Sequence, residues 1–322
     1  MNVVNHDIVA IGASAGGIEV LRDVVANLPA DLAASVFVVV HLPSGHASVL
    51  PELLSRRGAL PAIHPVHDER IEPGKIYVAP PDNHLQLRPG LIEVVRGPKD
   101  NGHRPAVDVL FRTAAAAYGA RVIGVVLSGY QDCGTAGMMS IKARGGVGVV
   151  QDPATAIAPD MPRHVIERVA VDHVVHPLEL PALLTRLVAA PAGPTAEPTP
   201  LVRQLEGSEL GHRADIVCPV CEGVLTETQP GVFQHFRCHV GHAFTLDGLL
   251  REQSEELERV LWAAVRALEE SAALAHRLTQ HETGELRARF AEKERTHRQQ
   301  ADYLRQLLLR GRLLTPVDAQ AS

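Results

Sequence analysis

The chain has 322 residues, 46% of them hydrophobic, 21% charged and only 3% aromatic, with a formal net charge of −6. That length predicts two domains with a core that Val, Leu, Ile and Ala must fill, and the acidic balance argues against a general nucleic-acid binder. No apolar run approaches the roughly 20 residues that span a bilayer, and no basic stretch leads into an apolar one at the start, so a cytoplasmic protein without membrane insertion is expected.

Ile8–Ile11 reads as a short buried strand ending in glycines, and Ile18, Leu21, Val24, Val25 and Leu28 then recur at helical spacing. Ser35–Val40 is a second strand, apolar on both faces. Val122–Leu127 and Val147–Val150 are further candidates, with a helix-compatible stretch, Ala136–Arg144, between them. Apolar strands separated by helices predict a doubly wound, mostly parallel, Rossmann-like α/β domain over residues 6–188. Residues 76–95 read as a less regular hairpin.

Residues 189–211 are expected to be a linker, because the four prolines between 189 and 202 oppose regular structure. A small Cys/His module follows over 212–244, and a helical hairpin over 245–312. Leu257, Leu261, Val265 and Leu268 share one face of the first helix. Gly284 marks a break, and Leu286, Phe290, Tyr303, Leu307 and Leu308 suggest a second helix. Residues 247–282 hold eight acidic and four basic groups, and 285–312 reverse this, which favours antiparallel pairing within one chain or in a homo-oligomer.

Gly12-Ala13-Ser14-Ala15-Gly16-Gly17 sits where the first strand meets the first helix and satisfies G-x-S-x-G. Glycines flanking the serine permit a sharp strand-to-helix turn, with the hydroxyl above the sheet edge beside helix amides that can hold an oxyanion. A glycine-rich turn there could instead bind a dinucleotide. However, the full G-x-G-x-x-G is absent, and the second strand runs into His41 rather than an acidic residue. Consecutive parallel strands end on the same side, so His41 should face Ser14, an arrangement suited to nucleophilic catalysis. The order serine, histidine, then acid departs from the α/β-hydrolase order. His6, His46, His64, His67 and His84 are expected to be structural.

Several ordered blocks carry a resemblance. Ile11–Gly17, His41–Gly45, Tyr77–Pro81, His103–Phe111, Leu127–Gly129, Gly134–Met138 and Met161–Arg163 resemble the catalytic domain of CheB, the chemotaxis protein-glutamate methylesterase. The resemblance implies hydrolysis of glutamate methyl esters on a methylated chemoreceptor or related signalling partner, glutamine deamidation as a second activity, and no catalytic cofactor. It makes Ser14 the nucleophile and His41 the general base, with backbone amides at the elbow and near Tyr130 holding the oxyanion. Two departures stand out. The family aspartate aligns with Cys133, one residue after Asp132, so either Asp132 serves through a shifted loop or activity is reduced or lost. The family's receiver domain is not expected ahead of Ser14, so control should come from elsewhere. Arg104, Asp108 and Arg163 fall in family-like blocks, as cleft contacts or structural ion pairs. A catalytically degenerate receptor-binding scaffold is the alternative to the enzyme.

Cys218-Pro219-Val220-Cys221 and Cys238-His239-Val240-Gly241-His242 are separated by sixteen residues. Two such knuckles supply the four donors of a structural tetrahedral zinc site: Cys218, Cys221, Cys238 and His242, with His239 as the cramped alternative to His242. Gly223–Leu225 and Gly231–Phe236 between them read as a hairpin, giving a zinc-ribbon-like module.

Overall fold

The computed structural model describes residues 4–41, 48–207, 209, 211–228 and 233–310. His46, Leu42–Gly45, Gly231 and Val232 of the expectations above lie outside that set. Strand β1 (Ile8–Ala13), helix α1 (Gly17–Ala26) and strand β2 (Ser35–Val40) follow the sequence pattern closely. Helix α2 (Leu50–Arg57) precedes three short strands: β3 (Ala62–Ile63), β4 (Glu69–Arg70) and β5 (Ile76–Val78). A hairpin of β6 (His84–Arg88) and β7 (Leu91–Val95) comes next, then α3 (Val107–Tyr118), β8 (Val122–Val126), α4 (Thr135–Ala143), β9 (Val147–Gln151), α5 (Asp160–Arg168), β10 (His173–Val175) and α6 (Leu180–Ala189).

Seven strands form one sheet in the order β10-β9-β8-β1-β2-β5-β3, and every pairing in it is parallel. Alternation along β1 explains why both its faces are apolar. Ile8 and Ala10 enter one core layer with Phe37, Tyr77 and Phe111, whereas Val9, Ile11 and Ala13 enter the other with Leu21, Val24 and Leu54. The expected hairpin over 76–95 begins later than its pattern suggested. Ile76–Val78 is wholly buried and joins the main sheet, and only β6 and β7 form the hairpin, with β4 on its edge.

The proline-rich stretch is irregular up to Thr199, but Pro200 starts helix α7 (Pro200–Glu206). Proline is well suited to a first helical position, and the Thr199 side chain caps it by accepting from Val202 N–H. The stretch is fastened rather than loose. Ala192 N–H donates to Val4, Ala120 N–H to the Thr195 hydroxyl, and Arg144 forms a two-pronged ion pair with Glu206. Strands β11 (His212–Val217), β12 (Val224–Glu227), β13 (His235–Cys238) and β14 (Ala243–Thr245) form an antiparallel sheet in sequence order, including the hairpin expected between the knuckles. Residues 1–248 make one compact unit.

A buried ion pair lies within that unit. Arg112 on α3 donates to Asp100, and both side chains are at least nine-tenths buried. Burial alone would raise the Asp100 pKa, but the Arg112 guanidinium, with His235 and Arg237 of the four-stranded sheet nearby, overcomes it and holds Asp100 below the usual carboxylate range. Asp100→Ala leaves a buried guanidinium without its partner, and a loss of about 3–5 kcal/mol is expected in urea denaturation at neutral pH. Because the folded pKa is depressed, this contribution is complete above the unfolded pKa near 3.9 and is lost as pH falls below it. The difference between wild type and variant should therefore shrink at acid pH.

The second unit, residues 249–322, holds most of helix α8 (Leu246–His281) and all of helix α9 (Gly284–Leu309). Val265, Ala301 and Leu308 are buried against each other, flanked by Leu261, Leu268 and Leu304, and Glu269 pairs with Arg305 across the helices. Tyr303 and Leu257 do not join this seam; they are 64% and 46% exposed. Ala301, Leu304 and Leu308 recur at helical spacing, which turns Tyr303 away from that face. Among the described residues, no helix is long and apolar enough to cross a membrane.

Candidate active site

Ser14 directly follows β1. Its N–H donates to Ser128 O at 2.9 Å and its carbonyl accepts from Gly17 N–H at 3.0 Å, which bends the chain straight into α1. Gly16 makes the bend possible with φ 73, a left-handed conformation that a side chain resists. Val40 is the register partner of Ala13, and His41 N–H donates to Ala13 O at 3.1 Å. Ser14 and His41 thus leave neighbouring parallel strands at the same edge of the sheet.

A second histidine joins them. The His103 ring stacks on His41 with centroids 3.7 Å apart and planes 10° from parallel. His103 Nε2 contacts Gln131 Oε1 at 3.3 Å, and His164 Nδ1 contacts the Gln131 carbonyl at 3.0 Å. The loop after β8 therefore runs along the site. Ser128, two residues past β8, donates from N–H to Gln151 Oε1 and from its hydroxyl to Ala15 O, which ties the loop to the serine turn. At Gly129 a Cβ would lie 2.7 Å from that of Ser14 and 2.1 Å from Met161 Sδ, so only glycine fits beside the serine.

Asp132 is 2% exposed, and its Oδ1 accepts from Asn101 Nδ2 at 2.7 Å and from the Thr245 hydroxyl at 3.0 Å. The carboxylate is thus neither turned to solvent nor bare. Cys133 is wholly buried in the core, and burial pushes its thiol well above the ordinary range, with the Asp108 charge adding to the effect. A thiol held protonated and out of contact with water is not a reactive nucleophile. Asp108 anchors the start of α4, accepting from Gly134 N–H at 2.9 Å and Gly137 N–H at 2.6 Å. Burial raises its pKa to about 6. Arg104 grips Asp82 with two nitrogens and donates to Gly97 O, holding the loop before α3. Arg163 and Tyr130 are exposed. His64, His67 and His84 each contact a backbone carbonyl, as structural histidines do.

The sequence patterns did not single out His103, Gln131, His164, Asn101 or Thr245. His103 opens the block from which Arg104 and Asp108 were taken, and its position there was the one available signal.

Apart from the serine edge, Cys218, Cys221, Cys238 and His242 converge with their four donor atoms all within 4.8 Å of one another. Cys221 Sγ and Cys238 Sγ are 3.6 Å apart, and His242 Nδ1 lies 3.7 Å from Cys218 Sγ and 3.5 Å from Cys238 Sγ. Metal–sulfur bonds of about 2.3 Å and a metal–nitrogen bond of about 2.0 Å at tetrahedral angles span edges of roughly 3.5–3.8 Å. The four donors could therefore hold a tetrahedral ion with little rearrangement. His239 is not one of them; its ring packs against Gly223.

Residues 9–184 match the family model described as CheB methylesterase. The chain is 37% identical over 188 residues to the protein-glutamate methylesterase/protein-glutamine glutaminase of Ralstonia nicotianae, covering 56% of this chain and 49% of the relative. It is 38% identical over 189 residues to a protein of Bordetella avium with the same name and the suffix 2, covering 57% and 53%. It thus spans about half the length of these relatives. The crystal structure of the Thermotoga maritima CheB methylesterase catalytic domain superposes with a TM-score of 0.55 at 34% identity, covering 57% of this chain and 100% of that one.

Proposed function

Because the chain belongs to the CheB methylesterase family, we propose that residues 6–188 form a serine hydrolase cleaving glutamate methyl esters on a chemoreceptor or related signalling protein, with glutamine deamidation as a second activity. The observation that carries this reading is the emergence of Ser14 and His41 side by side from adjacent parallel strands. Ser14 Oγ attacks the γ-carbonyl carbon while His41 accepts its proton. The tetrahedral intermediate collapses, and methanol departs with the proton from His41. Water, deprotonated by the same imidazole, then attacks the acyl-enzyme, releasing glutamate and restoring the serine. Backbone amides at the start of α1 and near Tyr130 would meet the oxyanion.

Asp132 is the proposed acid of this machinery, and it would stabilise the His41 imidazolium from the loop after β8. The weak acceptor Cys133 occupies the family's aspartate position, so turnover below that of a complete triad is proposed. Stacking of His103 on His41 supports the ring orientation in the meantime. The four-donor cluster is proposed to bind structural zinc, with no metal needed for the hydrolysis itself. A cytoplasmic setting and pairing of chains through the helical hairpin belong to the same proposal.

The cysteine at 133 also favours a second reading, a binding protein that retains the receptor surface without turnover. Methanol release by the purified full chain from a methylated receptor separates the two. Release above the uncatalysed rate supports the hydrolase; no release together with retained receptor binding supports the scaffold.

A further inference from the structure

Three residues beyond the last cluster donor, His242, the chain reaches the serine-hydrolase loop. Cys238 N–H donates to His242 O at 3.0 Å, closing the knuckle that leads into β14. Ala243 on that strand accepts from Asn101 N–H at 2.6 Å and bridges in parallel with Asp100. Thr245 ends the strand. Its hydroxyl lies 3.0 Å from Asp132 Oδ1 and 3.2 Å from Asn101 Oδ1, and it accepts from Gly248 N–H at 3.1 Å. The single hydroxyl proton favours the charged acceptor, so Thr245 donates to Asp132. Asn101 Nδ2 donates to the same oxygen at 2.7 Å. All three side chains are at least nine-tenths buried. A Cβ at Gly248 would lie 1.6 Å from Asn101 Oδ1, so this junction tolerates no added bulk.

We propose that the Cys218–Cys221–Cys238–His242 cluster, by binding a tetrahedral metal ion, serves as a strut for the hydrolytic site, with Thr245 and Asn101 as positioning residues that set the Asp132 loop. Its catalytic consequence rests on the hydrolase reading above; its structural consequence does not. The knuckle Cys238–His242 is a short turn between two short strands. A metal tied to both ends of that turn fixes the start of β14, and β14 fixes Asn101 and Thr245. The same loop carries Gly129 against Ser14 and Gln131 against His103, so disorder introduced at Asp132 reaches the nucleophile and its base. Two donors converging on one buried carboxylate oxygen make the loop position depend on a strand that belongs to a different sheet.

Metal content by elemental analysis and hydrogen–deuterium exchange of segment 128–134 in the full chain test this, using the zinc-loaded protein, the chelator-treated protein, and the Thr245→Val and Thr245→Ser variants. One zinc per chain is expected. Exchange in 128–134 should rise about tenfold or more on chelation and in Thr245→Val, where zinc stays bound, as expected for loss of a hydrogen bond to a charged acceptor. Thr245→Ser keeps the hydroxyl and should match wild type. A chain that binds no stoichiometric zinc overturns the proposal. So does exchange in 128–134 that stays at the wild-type rate in Thr245→Val, or on chelation while 212–245 opens. In the hydrolytic assay, Thr245→Val should lower kcat with little change in KM. A wild-type chain that releases no methanol removes the hydrolase reading and leaves the exchange result to decide the strut.

Discussion

Ser14→Ala is expected to fold like wild type and to lose methanol release by between about 10²- and 10⁶-fold, the size of the loss reporting what else works in the site. The turn is held by the Ser14 N–H to Ser128 and by Gly17 N–H to the Ser14 carbonyl, both backbone contacts that alanine keeps. Stability by thermal melting should therefore be unchanged. In a serine hydrolase with a complete triad, removing the serine costs roughly 10⁶-fold, and removing the acid alone costs on the order of 10⁴-fold. If the acid already contributes nothing, serine and histidine together retain only about 10²-fold to lose. A loss near 10⁶ identifies a working triad, and one near 10² a serine and histidine acting without it. A loss under tenfold would mean that Ser14 is not the nucleophile.

Asp132→Asn is expected to lower kcat with KM little changed, by at most the roughly 10⁴-fold that replacing the aspartate of a complete triad by its amide costs. The substitution is nearly isosteric. Its carbonyl oxygen can still accept from Asn101 and Thr245, which now engage the carboxylate at 2.7 and 3.0 Å, so the loop should stay in place while the charge disappears. Steady-state methanol release against substrate concentration measures it, and a change under threefold would remove Asp132 from the machinery. Cys133→Asp is the companion variant. It should raise kcat if the family position can serve His41. Burial raises the Cys133 thiol pKa, and the nearby Asp108 charge adds to it; both would also raise that of an aspartate there. The gain should therefore grow towards alkaline pH, and a gain already complete at acid pH would contradict this burial argument.

The central sheet could be read from the chain because each of its long strands is a continuous apolar run, and a strand buried on both faces needs no alternation. The placement of Ser14 and His41 at one sheet edge could be read for a related reason: both sit immediately after such runs, where parallel topology fixes which edge they occupy. Leu257 shares the helix face of Leu261, Val265 and Leu268 yet stays exposed, because only the partner helix selects how much of an apolar stripe is covered. Pro200 was read as opposing regular structure, although a proline disfavours helix only on its N-terminal side and can itself start one, as it does in α7. The Asn101–Asp132–Thr245 contact was out of reach altogether. Thr245 lies 113 positions from Asp132 and 144 from Asn101, and neither Asn101 nor Thr245 belongs to a spacing motif.

The fastening of the proline-rich passage bears on how this architecture can change over evolutionary time. Gly119 lies so close to Thr195 that a Cβ there would sit 2.2 Å from the threonine hydroxyl, and the Arg144–Glu206 pair clamps the far end of the passage. A recombination joint in this passage would leave an ill-fitting seam on each side. The hydrolase-like lobe and its appendage are consequently expected to be inherited as one block, and a foreign tail spliced on here would need compensating changes at the groove around Gly119.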